Sequence, residues 1–392
     1  MRINRDEIGF VARLSVVSVS RMFGLFMVLP VMALWVSEFA DATPALMGIA
    51  VGAYGVTQAF LQMPYGALSD RIGRAPVVVF GLSIFAAGSV IAATTDSIFG
   101  VICGRLLQGA GAVSATLSAW LADRTRTEVR TPAMAIFGAT IGASFLLALV
   151  LGPLLSAAVG VRGLFWLSAG LGILGVLLVI PDLRTGAAVS GDRTVFDDAT
   201  APGWQVVLRR ELILLDLGVL ILHAALLGFF VLAPFVLIER LGWRQDALWQ
   251  VYTGTLMLSL LIAVPMIMAD GKARATTLMR PAVGLLVVGM AAMSWSGPVF
   301  WIFGLGACLF FAGFSYLEAA LPAELSRRAD AARRGASLGV FASAQFLGAF
   351  VGSTTAGWIV GVSGPDQGFI AMFALLLIWL VVDVVFSRRS SA

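Results

Sequence analysis

Three side chains stand inside long apolar runs where a charge or a titratable ring is costly: Arg21, Arg105 and His223. An arginine at the centre of a membrane span costs at least about 2.5 to 3.5 kcal/mol, so one that stays there faces a wet cavity or a partner. Arg21 lies about 13 residues into its run, roughly 20 Å along a helix, which is too deep for its stem to reach the interface. Arg105 lies only about seven residues inside the end of its run, and two readings stand for it: a functional charge, or a stem that snorkels to the interface. Neither guanidinium releases its proton near neutral pH, and both would welcome anionic or zwitterionic groups. His223 is the one histidine of the chain. With an unperturbed pKa of about 6.5, histidine is the side chain able to change charge near neutrality, and the competing reading is a histidine that simply packs in an apolar helix. The acids Asp216, Glu318 and Asp383 lie nearer the cytoplasmic ends of their runs and read as interface or latch groups. Asp216 and Glu318 complete, with Arg21, Arg105 and His223, the candidate set for substrate binding or proton coupling.

The elements that must hold these side chains follow from composition. Of 392 residues, 59% are hydrophobic and 12% charged, whereas soluble globules carry about 25% charged residues. With a mean hydropathy of +0.96, the chain predicts a polytopic membrane protein. A net charge of +4 and a pI near 9.6 do not indicate nucleic acid, because the basic residues sit in short clusters between apolar runs rather than on one face. Cys103 and Cys308 fall inside apolar runs without Cys-x-x-Cys spacing, so neither a disulfide framework nor a metal site is indicated. No G-x-x-x-x-G-K-[ST] loop is present, so no ATP site and no cofactor are expected.

Apolar runs long enough to cross a core of roughly 30 Å occur at 8–36, 45–66, 75–93, 98–121, 132–156, 163–180, 211–238, 247–268, 278–296, 299–320, 335–360 and 367–387. The first is too long for a signal-peptide core of roughly 7 to 15 residues, despite Ala40-Asp41-Ala42 beyond it, and reads as a retained helix. About 21 of the 26 lysines and arginines lie at the N-terminus, in the even-numbered loops and at the C-terminus. That asymmetry predicts both termini in the cytoplasm. The longest loop, 182–210, separates six runs from six, so the expected domains are 1–181, a cytoplasmic linker at 182–210, and 211–392. The halves repeat at an offset of about 200 to 204 residues. Residues 24–30 align with 228–234, Asp70 and Arg74 with Asp270 and Arg274, Arg130, Met134 and Phe137 with Arg334, Leu338 and Phe341, and Phe165 with Phe369. His223 lies two positions before Ala225, the equivalent of Arg21.

Between the second and third runs stands Gly66-Ala67-Leu68-Ser69-Asp70-Arg71-Ile72-Gly73-Arg74. Read as a turn, it has two glycines for close approach and positive φ, an acid able to face a helix N-terminus, and arginines that hold the cytoplasmic surface. An ordinary solvated loop would carry the same residue types. This stretch resembles the G-x-L-x-D-R-x-G-R signature of the major facilitator superfamily of secondary transporters, and Arg105-Leu106-Leu107-Gln108-Gly109 resembles its R-x-x-Q-G segment. Residues 20–30, 88–93 and 345–348 are similar to the YajR-like group of drug and proton antiporters. The resemblance implies an all-α membrane protein of twelve transmembrane helices, two six-helix pseudo-repeats around a central cavity. It also implies a conformational latch of Gly66, Asp70, Arg71, Gly73, Arg74 and Asp123, with Asp70 capping the helix that starts near Gly335 and Arg74 paired with Asp123. In relatives that exchange protons for drugs a first-span acid often takes the proton. Here Arg21 stands at that depth and the only acid near the outer end of that helix is Glu38, a departure that counts against carrying that site over. Gly138, Gly142, Gly152 and Pro153 partly resemble an exporter signature, and small-residue packing with a proline kink accounts for them equally.

The expected function is secondary active transport, with proton-coupled efflux of small amphipathic compounds by alternating access. The expected partners are a small-molecule substrate, protons and the lipid bilayer, with no nucleic acid; the protein is expected to be a monomer in a bacterial inner membrane. A lipid or lysolipid flippase, an uptake symporter and a non-transporting receptor are the alternatives. An intramembrane hydrolase would need Ser315, in Gly313-Phe314-Ser315, to reach a base, and His223 is far away in sequence.

Overall fold

The computed structural model describes residues 5–184, 209–270, 278–330 and 334–388, and among these all regular structure is helical. The first apolar run forms α1 (Arg5–Phe26) and α2 (Leu29–Ser37). They part at residues 27–28 because Pro30 has no N–H to give the Phe26 carbonyl and its ring crowds that oxygen. Then come α3 (Pro44–Ile72) and α4 (Arg74–Thr94). The fourth run is split into α5 (Ile98–Ala110) and α6 (Ser114–Arg124), and α7 (Thr127–Arg184) bends at Gly160, φ 71°, into the two runs expected at 132–156 and 163–180. After it come α8 (Arg210–Phe235), which widens after Pro234 into a π turn at Val236–Arg240, α9 (Leu248–Asp270) and α10 (Met279–Ser294). The chain closes with α11 (Phe300–Arg328), α12 (Arg334–Ser363) and α13 (Pro365–Arg388).

Ten helical stretches among the described residues are long and apolar enough to cross a membrane, the bent α7 being one of them, and α10 is a shorter apolar helix. All twelve expected apolar runs therefore fall on helix. The turn expected over 66–74 is shorter than the sequence suggested. Helix α3 continues through Ile72 and only Gly73, at φ 98°, leaves the helical region. A helix that has left its apolar run can continue in water, and the chain reverses where a residue without Cβ admits a positive φ. Gly66 has no atom within 4 Å of where a Cβ would stand, so close approach is not its role.

Two compact units are present, one of Met1–Leu29 with Ala53–Gly203 and the other of Pro30–Gly52 with Trp204–Ala392. Most of the linker expected at 182–210 lies outside the described residues, as does Arg274 of the second-half counterpart to the 66–74 stretch. The first unit is cored by Leu14, Val78, Leu82, Leu117, Trp120 and Phe137, drawn from α1, α4, α6 and α7. In the second unit, Gly48 and Gly52 let the first turns of α3 lie against the α12 backbone: a Cβ on Gly52 would stand 2.8 Å from Phe350 Cα.

The repeat is written in backbone contacts. A Cβ on Gly88 of α4 would stand 2.5 Å from Gly104 O of α5, and one on Gly289 of α10 would stand 2.5 Å from Gly306 O of α11. Likewise a Cβ on Gly111 would lie 2.7 Å from Gly81 O, and on Gly313 2.5 Å from Ala282 O. The bend at Gly160 is matched by Gly364, φ 85°, between α12 and α13. Glycine is required at these places because the opposing atom is backbone and cannot yield.

Candidate functional site

In the first unit both membrane-depth arginines are buried, Arg21 at 1% exposure and Arg105 at 0%. The snorkelling reading of Arg105 is thereby removed: its stem turns inward. Its Nη1 donates to Leu25 O at 3.2 Å and to Gln108 Oε1 at 2.8 Å, Gln108 Nε2 donates to Ser89 Oγ at 2.8 Å, and Ser89 Oγ donates to Phe85 O at 2.8 Å. Leu25 O lies in the last turn of α1, where carbonyls lose their intrahelical partners. Pro30, by ending α1, provides the acceptor that Arg105 uses. The guanidinium carbon stands 4.4 Å from the centre of the Tyr54 ring, a cation–π contact. Gly109 makes this stacking possible, since any Cβ there would run into Tyr54 O and hold α5 away from α3.

Arg21 donates from Nη2 to Gln58 Oε1 at 2.5 Å and from Nη1 to Ser114 Oγ at 3.2 Å, with Met22 Sδ at 3.7 Å. Its guanidinium carbon lies 6.0 Å from the Phe85 ring centre. Helices α1, α3 and α6 thus meet at one cation.

In the second unit His223 is 5% exposed on α8. Its Nδ1 lies 3.1 Å from Val219 O; a carbonyl only accepts, so Nδ1 carries the hydrogen and Nε2 is the nitrogen left to gain or lose one. Nε2 faces Gln345 Nε2 at 2.9 Å and Glu318 Oε2 at 3.4 Å, and Gln345 Nε2 also donates to Glu318 Oε1 at 3.1 Å. Phe314 covers the ring edge-on at 5.6 Å. Glu318 lies within α11, which runs on to Arg328, and stands against the histidine. Asp216 lies two turns before His223 on the same helix, partly buried, with its Oδ1 unbonded among the described residues. Asp383 is elsewhere, paired with Arg280 at 2.9 Å.

The sequence profile described as Major Facilitator Superfamily matches residues 14–353. The chain belongs to that superfamily. It is 39% identical over 366 residues to the inner membrane transport protein YajR of Escherichia coli K12, an alignment covering 92% of this chain and 80% of YajR. Multidrug resistance protein MdtL of Vibrio parahaemolyticus is 27% identical over 284 residues, 70% of each chain. The solved structure of an auto-inhibited POT family peptide transporter superposes with a TM-score of 0.75 at 13% identity, covering 97% of both chains, and shares the fold. The protein is a multi-pass integral membrane transporter of small molecules and not an enzyme.

The superfamily's signature stretch in this chain is an ion-pair cluster within the first unit. Arg74 Nη1 pairs with Asp70 Oδ1 at 2.5 Å and donates to Ser69 Oγ at 2.6 Å, while Arg74 Nε donates to Asp123 Oδ2 at 2.9 Å. Arg71, beside the cluster, is exposed. Of the exporter-like glycines, a Cβ on Gly138 or Gly142 would meet no other element within 4 Å, while a Cβ on Gly152 would run into Met27 O. Reading the sequence missed Gln58, Ser89, Ser114 and Gln345. Uncharged polar residues are common in spans, so only their partners mark them out.

Proposed function

We propose that this transporter is a proton-coupled exporter of small amphipathic compounds, working by alternating access as a monomer in a bacterial inner membrane with both termini cytoplasmic. The observation that carries the coupling is the cluster of buried His223 with half-buried Gln345 and Glu318, one titratable ring and one carboxyl joined by an amide. With Nε2 unprotonated, that nitrogen accepts from the Gln345 amide, and α8 is tied to α12. A proton arriving on Nε2 turns the acceptor into a donor, so the Gln345 bond is lost and Glu318 Oε2 becomes the natural acceptor, tying α8 to α11 instead. Proton binding would thus exchange one helix partner for another, which is what coupling to a conformational change requires. Efflux as the direction is supported by relatives named for multidrug and tetracycline resistance.

The test is His223→Gln in proteoliposomes with an imposed pH gradient. The variant is expected to bind substrate as the unaltered protein does but to lose uphill transport. Uphill transport with unchanged proton stoichiometry would make His223 a packing residue and remove this coupling site.

A further inference from the structure

The Arg21 cluster carries a second inference, which deepens the transport reading by naming a substrate class and rests on it only in taking the ligand to be the transported molecule. Among the described residues no carboxylate pairs with Arg21, although it is buried, and an unpaired charge away from water is strongly disfavoured. Three buried polar atoms, on Arg21 and on the α3 face it bonds, are unspent: Arg21 Nε, Gln58 Nε2 and Gln62 Oε1. Gln58 uses its oxygen on Arg21, so its amide hydrogens remain, and Gln62 follows it by four residues on the same face of α3. Two donors beside a fixed positive charge match the two oxygens of a carboxylate. The acceptor one turn along matches a hydroxyl or N–H next to that carboxylate. Tyr54, also on this face of α3, is in edge contact with Phe26 at 6.0 Å, and Phe26 with Phe145 at 4.8 Å, so the polar atoms are bordered by aromatic rings.

We infer that Arg21, Gln58 and Gln62 form a subsite for a small amphipathic monocarboxylate bearing a hydrogen-bond donor beside its carboxyl group. Arg21 Nε and Gln58 Nε2 hold the carboxylate and Gln62 Oε1 receives the neighbouring donor. This is a site of the first unit alone and uses none of the His223 cluster.

Equilibrium binding to the purified full chain in detergent, with no gradient, tests it using mandelate, phenylacetate, which lacks the hydroxyl, and mandelamide, which lacks the charge. Mandelate is expected to bind about tenfold to a hundredfold more tightly than mandelamide, the range for a charged hydrogen bond, and about threefold to tenfold more tightly than phenylacetate. Arg21→Gln should erase the preference over mandelamide. Gln62→Leu should lower mandelate to the level of phenylacetate and leave phenylacetate alone. Arg21→Lys, which keeps the charge and loses the Nε, should fall between, and it carries the test if Arg21→Gln does not fold. Equal binding of mandelate and mandelamide by the unaltered protein, or full mandelate affinity in a folded Arg21→Gln, overturns the subsite. Because no gradient is involved, a failure of proton coupling leaves these readouts intact, and pH-driven export of a cationic drug without mandelate binding would overturn the subsite alone.

Discussion

The two units share a scaffold and differ in what they bury on it. In the first, α5 meets α4 through Gly88 and Gly104, and the residues just beyond, Arg105 and Gln108, build a polar network to Leu25 O and Ser89. In the second, α11 meets α10 through Gly289 and Gly306, and the repeat places Ala307 and Phe310 where Arg105 and Gln108 stand. Phe310 stacks on Phe229 at 5.8 Å, Phe229 being the counterpart of Leu25, and Phe311 meets Phe229 edge-on at 5.1 Å. Where one unit joins its helices through a guanidinium, the other joins them through aromatic rings. One polar link joins corresponding helices in both units. Arg21 bonds Ser114 in the first unit, and His223 faces Glu318 in the second, between corresponding helices. The backbone contacts are therefore common property and the side-chain chemistry belongs to each unit separately. The helix break at 111–113 follows the same division, since α11 passes its equivalent, Gly313, without interruption.

The largest effect expected breaks the shared part. Gly104→Leu and Gly306→Leu each drive a side chain into a backbone carbonyl across a helix contact, and overpacking against atoms that cannot move costs about 3 kcal/mol or more. Both variants should lose most of their folded yield, to a similar extent, in size-exclusion profiles and thermal unfolding. A folded Gly306→Leu beside a lost Gly104→Leu would mean that the second unit's contact is looser than its geometry shows, and the equivalence would fail.

The next effect concerns the part that differs. Arg105→Met leaves Gln108 Oε1 and Leu25 O without their donor, and an unsatisfied buried acceptor costs about 1 to 3 kcal/mol. Removing the second partner as well, in Arg105→Met with Gln108→Met, should recover much of that stability, because a fully apolar pair makes no such demand. Transport should remain lost in both, since the charge is gone. A double variant that is stable and still transports would show the first unit working as the second does, by apolar packing, and the network would have no functional part.

Much of this was legible in the sequence because membrane depth is a strong constraint. Apolar run length located the helices, and charge in the wrong solvent located Arg21, Arg105 and His223. The hidden parts have physical causes. Glu318 lies close to where the apolar run stops near Ala320, and hydropathy along α11 carries no sign of the histidine on α8 that it meets. Gln345 meets His223 across 122 residues of chain, a separation at which a neutral amide leaves no periodic trace. The hinge at Gly73 was placed too broadly because a solvated helix end and a turn draw on the same residues. Depth, in short, is written along the chain, while partnership is written between helices.

The smallest effect lies at the surface of the first unit, where Arg74 joins Asp70, Ser69 and Asp123. The two acids are exposed, Asp70 at 36% and Asp123 at 45% of their side chains, and exposed ion pairs contribute about 1 kcal/mol or less. Asp123→Asn should therefore leave thermal unfolding almost unchanged, because Arg74 retains Asp70 and Ser69. A latch, unlike a stabilising pair, acts on the balance between conformations, and a fraction of a kcal/mol is enough to alter that balance by up to about threefold. Transport rate should then change by about that factor in Asp123→Asn and in Asp70→Asn, and raised ionic strength should shrink the difference from the unaltered protein through screening. Rates that stay put in both variants while stability also stays put would leave the cluster as a solvated helix end. The signature stretch would then resemble the shared scaffold in being structural, and the chemistry that separates the two units would be confined to the buried arginines and the histidine cluster.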